Sequence, residues 1–286
     1  MTVTTILVTY NSAAVICDAL DSLRTQSEIS RIVVVDNASS DDTCALVTKR
    51  FPHVELICNT TNLGFGVANN LALETVTTPY ALLVNPDAVL TANCTKHLLD
   101  AADTFPDAAI LAPKLAGAHA ETLESFKRNV FRREARRDRF TLPEDTCCAE
   151  FLSGAVWFMR MEAFRRIGFF DPEIFLFYED DDLCMRTRKS GFSLIYVPSA
   201  MAEHGVGKSS PNSTTLLFFK QRQMIRGRLY LEQKYFGVSA AQKLALKLQW
   251  KNRIRLLGAC CILQLRRTVY YRARLSGIQS FLEGRK

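Results

Sequence analysis

Several features are missing from this chain, and each absence excludes something. No stretch of about 18 uncharged apolar residues occurs, so no membrane-spanning helix is expected. The apolar run Leu256 to Leu265 is too short, and Arg255 and Arg266 bound it. The amino terminus has no basic segment and no small-residue cleavage site, so it does not read as a secretory signal. Nine cysteines are scattered, odd in number and without CxxC spacing, which argues against a zinc site. Most of these thiols are expected to be buried small hydrophobes in a reducing cytoplasm. Glycine (13) and proline (9) are few, so the chain is not low-complexity or disordered. No internal repeat is present.

What remains is a globular composition. The 286 residues suit one large domain, or one domain with an appendage, and 48% are hydrophobic. The net charge of +7 is unevenly spread. From Lys208 onward there are seventeen Lys and Arg against two acids, Glu232 and Glu283. Residues 1–207 hold 19 basic and 27 acidic residues. An acidic body thus carries a basic tail, which suggests a polyanionic surface as the tail's partner.

Strand and helix signals alternate through the first hundred residues. Apolar, β-rich runs occur at Thr4–Thr9, Arg31–Asp36, Val54–Cys58, Tyr80–Asn85 and Ala108–Ala112. Helical patterns lie between them, at Ala14–Gln26, Asp42–Phe51, Phe65–Val76 and Asn93–Phe105. Continuous apolar strands such as Val33-Val34-Val35 indicate burial on both faces. The rhythm predicts an α/β fold with a doubly wound, mostly parallel sheet. Residues 114–148 break the rhythm with Lys127, Arg128, Arg132, Arg133, Arg136, Arg137 and Arg139. They read as a solvated loop or helix, or as a basic loop near an anionic acceptor. A strand over Glu150–Met159, a helix from Met161, a helix over Asp180–Ser190 and a strand Phe192–Val197, ended by Pro198, follow.

In such sheets ligands sit at the carboxyl ends of the strands. Those ends read Thr9-Tyr10-Asn11, then Asp36 to Thr43, then Asn62-Leu63-Gly64-Phe65-Gly66, then Asn85-Pro86-Asp87. Asp36 can accept hydrogen bonds from a ribose hydroxyl or a base N–H, while Asp41 or Ser40 caps the following helix. The two glycines open a helix, where backbone can approach phosphate, although a plain turn and cap would look the same. Asp87 can ligate Mg²⁺ or Mn²⁺, or simply belong to an Asn-Pro-Asp turn. Glu179-Asp180-Asp181-Asp182 stabilise a helix start, and one of them can serve as a general base. Helical spacing places Glu179 and Asp182 on one face and turns Asp180 elsewhere. His204 can complete a metal site with Asp87, and Lys208 and Ser209 can hold a diphosphate.

Taken together, these stretches resemble the family 2 glycosyltransferases with the GT-A fold, in their rhamnosyltransferase-like branch of bacterial polysaccharide assembly. The likeness rests on Val33 to Asp41, Asn62 to Asn70, Leu83 to Asp87, Gly168 to Asp171, Tyr178 to Arg186 and His204 to Ser209. It implies a GT-A domain over residues 1–210, with a nucleotide-sugar half to about 113 and an acceptor half beyond. Residues 211–286 form a basic amphipathic helical extension.

The resemblance also implies roles. Thr9, Tyr10 and Asp36 would bind the nucleoside, with Asn11, Asn62, Gly64, Asn85, Asp87 and Lys208 completing the donor site. Asp87 looks like the last position of the family's Asp-any-Asp motif, with Asn85 in place of the first aspartate. His204 would be the second ligand of Mg²⁺ or Mn²⁺. Asp180 looks like the catalytic base, with Gly154, Glu179 and Asp182 on the acceptor side. The expected reaction is inverting transfer of rhamnose from dTDP-rhamnose to a glycan or lipid-linked glycan, or transfer from a UDP- or GDP-sugar.

Other classes are weighed on residues. A sugar-1-phosphate nucleotidyltransferase would need a glycine- and arginine-rich loop after the first strand, which Thr9-Tyr10-Asn11-Ser12 lacks. A non-catalytic nucleotide-sugar or nucleic-acid binder would leave the acidic cluster unexplained, and nucleic acid is not an expected partner. In the tail, Phe218, Ile225, Leu229 and Phe236 share a helical face. Lys243, Lys247, Lys251 and Arg255 form a basic stripe beside Leu246, Trp250, Ile254 and Leu257. That stripe reads as peripheral attachment to the inner face of an anionic membrane, or as a helix packed on the body with solvated lysines.

Overall fold

A computed structural model describes residues 2–117, 126–127, 143–205 and 213–284. The basic residues from Arg128 to Arg139, and Lys208 and Ser209, lie outside the described residues. Two compact units emerge, one of Met1–Asp171 with Asp180–Ser209, the other of Pro172–Glu179 with Ser210–Lys286.

The first unit opens with β1 (Val3–Thr9), α1 (Ile16–Leu23), β2 (Ile29–Asp36), α2 (Thr43–Arg50), β3 (Glu55–Cys58), α3 (Phe65–Leu73) and β4 (Tyr80–Val84). It continues through β5 (Ala88–Leu90), α4 (Cys94–Thr104), β6 (Ala108–Ala116), β7 (Phe126–Lys127), β8 (Cys147–Cys148), β9 (Phe151–Leu152), β10 (Val156–Arg160) and α5 (Met161–Ile167). It closes with α6 (Glu179–Lys189) and β11 (Ser193–His204). The sheet runs β3-β2-β1-β4-β10-β6-β11-β5, with β8 also on β11, while β7 pairs with β9.

Strands β1 to β4 pair in parallel, as continuous apolar runs require. Every residue of β1 is buried, because alternate side chains enter two different cores. Val3 and Leu7 face α1, α2 and α4 through Leu20, Val47 and Leu98. Ile6 and Val8 face α3 and α5 through Ala68, Leu73 and Phe164. The sheet is therefore wound on both sides.

Its second half departs from the expected rhythm. β10 runs antiparallel between β4 and β6, and β5 is antiparallel to β11. The expected strand over Glu150–Met159 is two strands, interrupted at Ser153-Gly154-Ala155. Pro198 does not end β11. The strand continues to His204, with a register shift between Val197 and Met201. Proline has no N–H to give a ladder, so it is accommodated where pairing slips.

The second unit contains Pro172–Glu179 and three helices, α7 (Thr214–Phe236), α8 (Val238–Cys261) and α9 (Leu265–Leu282). The Ser213 hydroxyl caps α7 by accepting from the Leu216 N–H. Ile225 and Leu229 meet Ala245 and Ile278 in a small core. A Cβ on Gly277 would lie 2.4 Å from Ile225 Cγ2 and 2.8 Å from the Arg222 carbonyl, so only glycine permits this approach of α9 to α7. Phe236, which shares a helical face with Ile225 and Leu229, is exposed at the end of α7.

Candidate active site

Parallel pairing brings the carboxyl ends of β1 to β4 to one edge of the sheet. Thr9 is in register with Asp36, and Asp36 with Cys58. The Thr9 hydroxyl donates to Asp36 Oδ1 at 2.8 Å. The Ser39 N–H and hydroxyl donate to Oδ2 and Oδ1 at 2.8 and 2.5 Å. Asp36 is only 1% exposed, and a carboxylate has about four lone-pair directions. Three are taken, so at most one serves a nucleoside.

Tyr10, 49% exposed, offers an open ring at the same edge. Asn11, at φ 52°, accepts from the Ser40 N–H at 2.8 Å, and its own N–H donates to Ser39 Oγ. Asp41 accepts from the Ala13 and Thr43 N–H groups and from the Thr43 hydroxyl. Burial pushes the Asp41 carboxyl up, but those hydrogen bonds outweigh it and hold it below its ordinary value.

Asn37 organises the next loop, a role the sequence reading missed. Its Oδ1 accepts from Asn59 Nδ2 and the Leu63 N–H, and its Nδ2 donates to the Gly64 carbonyl. Asn62 Oδ1 accepts from the Gly64 N–H at 2.9 Å. Gly64 precedes α3 at φ 86°, a conformation that favours glycine. Gly66 has a packing role, since its Cβ would lie 2.8 Å from Phe170 Cβ. Asn70 pins Phe170 by accepting its N–H and donating to its carbonyl, and Phe170 stacks on Trp157.

The end of β4 turns at Asn85-Pro86-Asp87. Asp87 Oδ1 lies 3.2 Å from His204 Nε2, and Asn85 Nδ2 lies 3.5 Å from the same nitrogen. The Gly205 N–H donates to the Asp87 carbonyl, tying the end of β11 to this turn. Two ligands at about 2.1 Å from an octahedral ion, at right angles, stand about 3 Å apart. The Asp87–His204 separation fits that pair. Among the described residues no cluster of three or more His, Cys, Asp or Glu forms. Asp87 and His204 would therefore hold an ion jointly with phosphate oxygens and water, with Asn85 contributing a dipole instead of a second carboxylate.

The turn connects to the acidic cluster in two short links. The Asn85 N–H donates to the Ala155 carbonyl at 2.8 Å. The neighbouring Gly154 faces Asp180. A Cβ there would lie 3.4 Å from Asp180 Cβ and 3.9 Å from its Oδ2. Gly154 thus leaves space beside the carboxylate.

The four acids have different surroundings. Asp180 and Asp181 are half-buried, while Glu179 and Asp182 are buried. The acceptor role expected of Asp182 does not suit its position. It is fully buried, and its Oδ2 accepts from Arg186 Nε at 2.8 Å. Arg186 also donates to the Ile167, Gly168 and Phe169 carbonyls. Asp182 therefore secures the loop before Phe170.

The cysteines need correction too. Only Cys94 and Cys184 are buried, whereas Cys58, Cys148, Cys260 and Cys261 are exposed. Cys44 Sγ stands 3.6 Å from Cys58 Sγ. Burial first, then Asp36 and Cys58, push the Cys44 thiol up to about 12.

The family model for glycosyl transferase family 2 matches residues 4–168, from β1 to α5, which include Thr9, Asp36 and Asp87 and stop short of Asp180 and His204. The chain belongs to that family. One relative is an N-acetylglucosaminyl-diphospho-decaprenol L-rhamnosyltransferase of Mycobacterium tuberculosis. It is 30% identical over 213 residues, covering 64% of this chain and 68% of the relative. Rhamnosyltransferase WbbL of Escherichia coli is 23% identical over 220 residues, covering 70% and 81%. This family 2 chain is thus rhamnosyltransferase-like.

Solved structures share the fold. TarS 1–349 of S. aureus aligns with a TM-score of 0.57 at 15% identity, covering 100% of this chain and 92% of that one. The mannosyltransferase PcManGT of Pyrobaculum calidifontis, in complex with GDP-Man and Mn²⁺, aligns at 0.60 and 15%, covering 100% and 88%.

Proposed function

We propose that this glycosyltransferase moves rhamnose from dTDP-rhamnose to a lipid-linked glycan, with inversion and with a divalent cation. The transferred sugar and the acceptor class are supported by the mycobacterial relative, whose name specifies an L-rhamnosyl transfer to an N-acetylglucosaminyl-diphospho-decaprenol. The observation that carries the reaction type is the short path from the Asp87–His204 pair, through Asn85 and Ala155, to Gly154 and Asp180. It puts the Asp87–His204 pair and the half-buried Asp180 carboxylate at neighbouring places in one unit.

Asp87 and His204 would hold Mg²⁺ or Mn²⁺, and PcManGT was solved with Mn²⁺. A cation bound there supplies positive charge against the leaving diphosphate. Thr9, Asp36 and Asn11 hold the nucleoside end of the crevice, and Tyr10 offers a face for the base. Asp180 accepts the acceptor hydroxyl proton as the oxygen attacks the anomeric carbon. The new glycosidic bond forms opposite the departing dTDP, so one displacement inverts the centre. Such a transition state has oxocarbenium character. Glu179 remains a proposed acceptor-side residue. The acceptor is held in a membrane, so the enzyme works peripherally at its cytoplasmic face.

The test is direct. Incubation with dTDP-rhamnose and a GlcNAc-diphospho-lipid should yield a disaccharide-lipid whose new anomeric centre, read by NMR, is inverted. Retention of configuration would sink the single-displacement reading. Transfer only from UDP- or GDP-sugars would replace the donor.

A further inference from the structure

We infer that the outer face of α8 and the α8–α9 junction form a docking surface for an anionic phospholipid bilayer. This deepens the reading of a membrane-borne acceptor and rests on it for the enzyme's place of work. The surface lies wholly within the second unit.

At roughly 100° per residue, α8 presents two opposite faces. Ala241, Ala245, Asn252 and Ala259 are buried and form its inner side. Leu246, Trp250, Ile254 and Leu257 fall on the far side, and all four are exposed, Trp250 by 70%. None of the four enters the small core that α7, α8 and α9 share. The apolar face continues past the helix end with Ile262 and Leu263, then Leu265. Leu263 is 91% exposed and sits at φ 51°. Leucine is an unfavourable residue for that backbone, and in water its side chain gains nothing. Insertion into hydrocarbon gives it a use.

Charge selects the partner. From Val238 to Leu282 the chain carries nine Lys and Arg and no Asp or Glu. Lys247 and Lys251 flank the apolar stripe, and both are exposed. A helix with an apolar face beside lysines lies in the interface of an anionic membrane. At the junction, Leu217, Leu265, Arg266, Arg267, Tyr270 and Tyr271 line an open groove of about 620 Å³. Guanidinium and phenol groups around such a groove suit a lipid phosphodiester. A second protein would need complementary acids, and this face offers none to a second copy of itself.

The chain has two tryptophans, and Trp157 is fully buried. Trp250 fluorescence therefore reports insertion in the full-length protein. Titration with phosphatidylglycerol-containing vesicles should shift emission to the blue and carry the protein into the pellet. Pure phosphatidylcholine vesicles should bind at least about tenfold more weakly, because the basic belt finds no counter-charge. The triple variant Trp250→Ser, Leu257→Ser, Leu263→Ser should lose at least about tenfold in vesicle affinity. It should keep its melting temperature and its transfer to a water-soluble GlcNAc-diphosphate acceptor. Equal vesicle binding by the triple variant would overturn the inference. So would a concentration-dependent dimer, broken by the same substitutions, in a protein that ignores vesicles. Failure of wild-type transfer to the soluble acceptor would count against the proposed reaction and leave vesicle binding standing.

Discussion

Asp180 and Asp182 stand two positions apart in α6 and meet different surroundings. Asp180 is half-buried beside the space that Gly154 leaves, whereas Asp182 is sealed against Arg186. Their substitutions should separate chemistry from stability. Asp180→Asn removes the proton acceptor but keeps shape, so transfer should fall about 10² to 10⁴-fold while donor affinity stays unchanged. Turnover measured at saturating donor checks this, and near-normal turnover would remove Asp180 from the mechanism. Asp182→Ala leaves a mostly buried guanidinium without its carboxylate and should cost about 3 kcal/mol in urea unfolding. Residue patterning placed four acids at a helix start without ranking them, and only the family resemblance singled out Asp180, because their differences depend on Arg186 and on a glycine 26 positions upstream. Gly66 shows the same limit. A glycine that admits phosphate and one that admits a phenylalanine side chain are identical in sequence.

At the scale of elements, the turn that opens α6 carries strain. Phe177 and Tyr178 are consecutive non-glycine residues at φ 68° and 73°. Such conformations persist only when their surroundings hold them. The hold comes from α7, where a Cβ on Gly227 would stand 2.6 Å from the Phe177 carbonyl oxygen and 3.2 Å from Tyr178 Cδ2. Gly227→Ala must therefore move backbone, at about 1–3 kcal/mol. The turn leads directly into the helix that carries Asp180, so kcat should drop at least about tenfold with little change in the donor KM. Equal kcat in the folded variant would show that the turn does not set the base. The parallel half of the sheet was legible because doubly buried strands read as apolar runs with helices between them. The antiparallel insertion of β10 was not, since its partners β4 and β6 are fixed by pairing that no local pattern records. The extension of β11 past Pro198 escaped for the same reason: proline predicts a break, and tertiary pairing absorbs it as a register shift.

At the scale of the molecule, an acidic body carries the family 2 motifs and a basic helical unit follows it; sugar transfer is proposed for the first and membrane docking for the second. The charge partition was visible in composition, and the ordered motifs from Val33 to His204 made the family visible as well. The separation of Pro172–Glu179 from the body was hidden, because its contacts lie with residues some fifty positions later. The central claim is that Asp87 and His204 bind a cation that in turn binds the donor's diphosphate. Thermal unfolding of wild type and Asp87→Ala with dTDP, UDP and GDP, each with and without Mn²⁺, tests it most directly. A nucleotide at a hundredfold excess over its Kd stabilises by about 2.7 kcal/mol, or roughly 5 °C in a protein of this size. The account predicts such a shift for dTDP with wild type only when Mn²⁺ is present, and its loss in Asp87→Ala. A shift of the same size without metal, or in the variant, would contradict it.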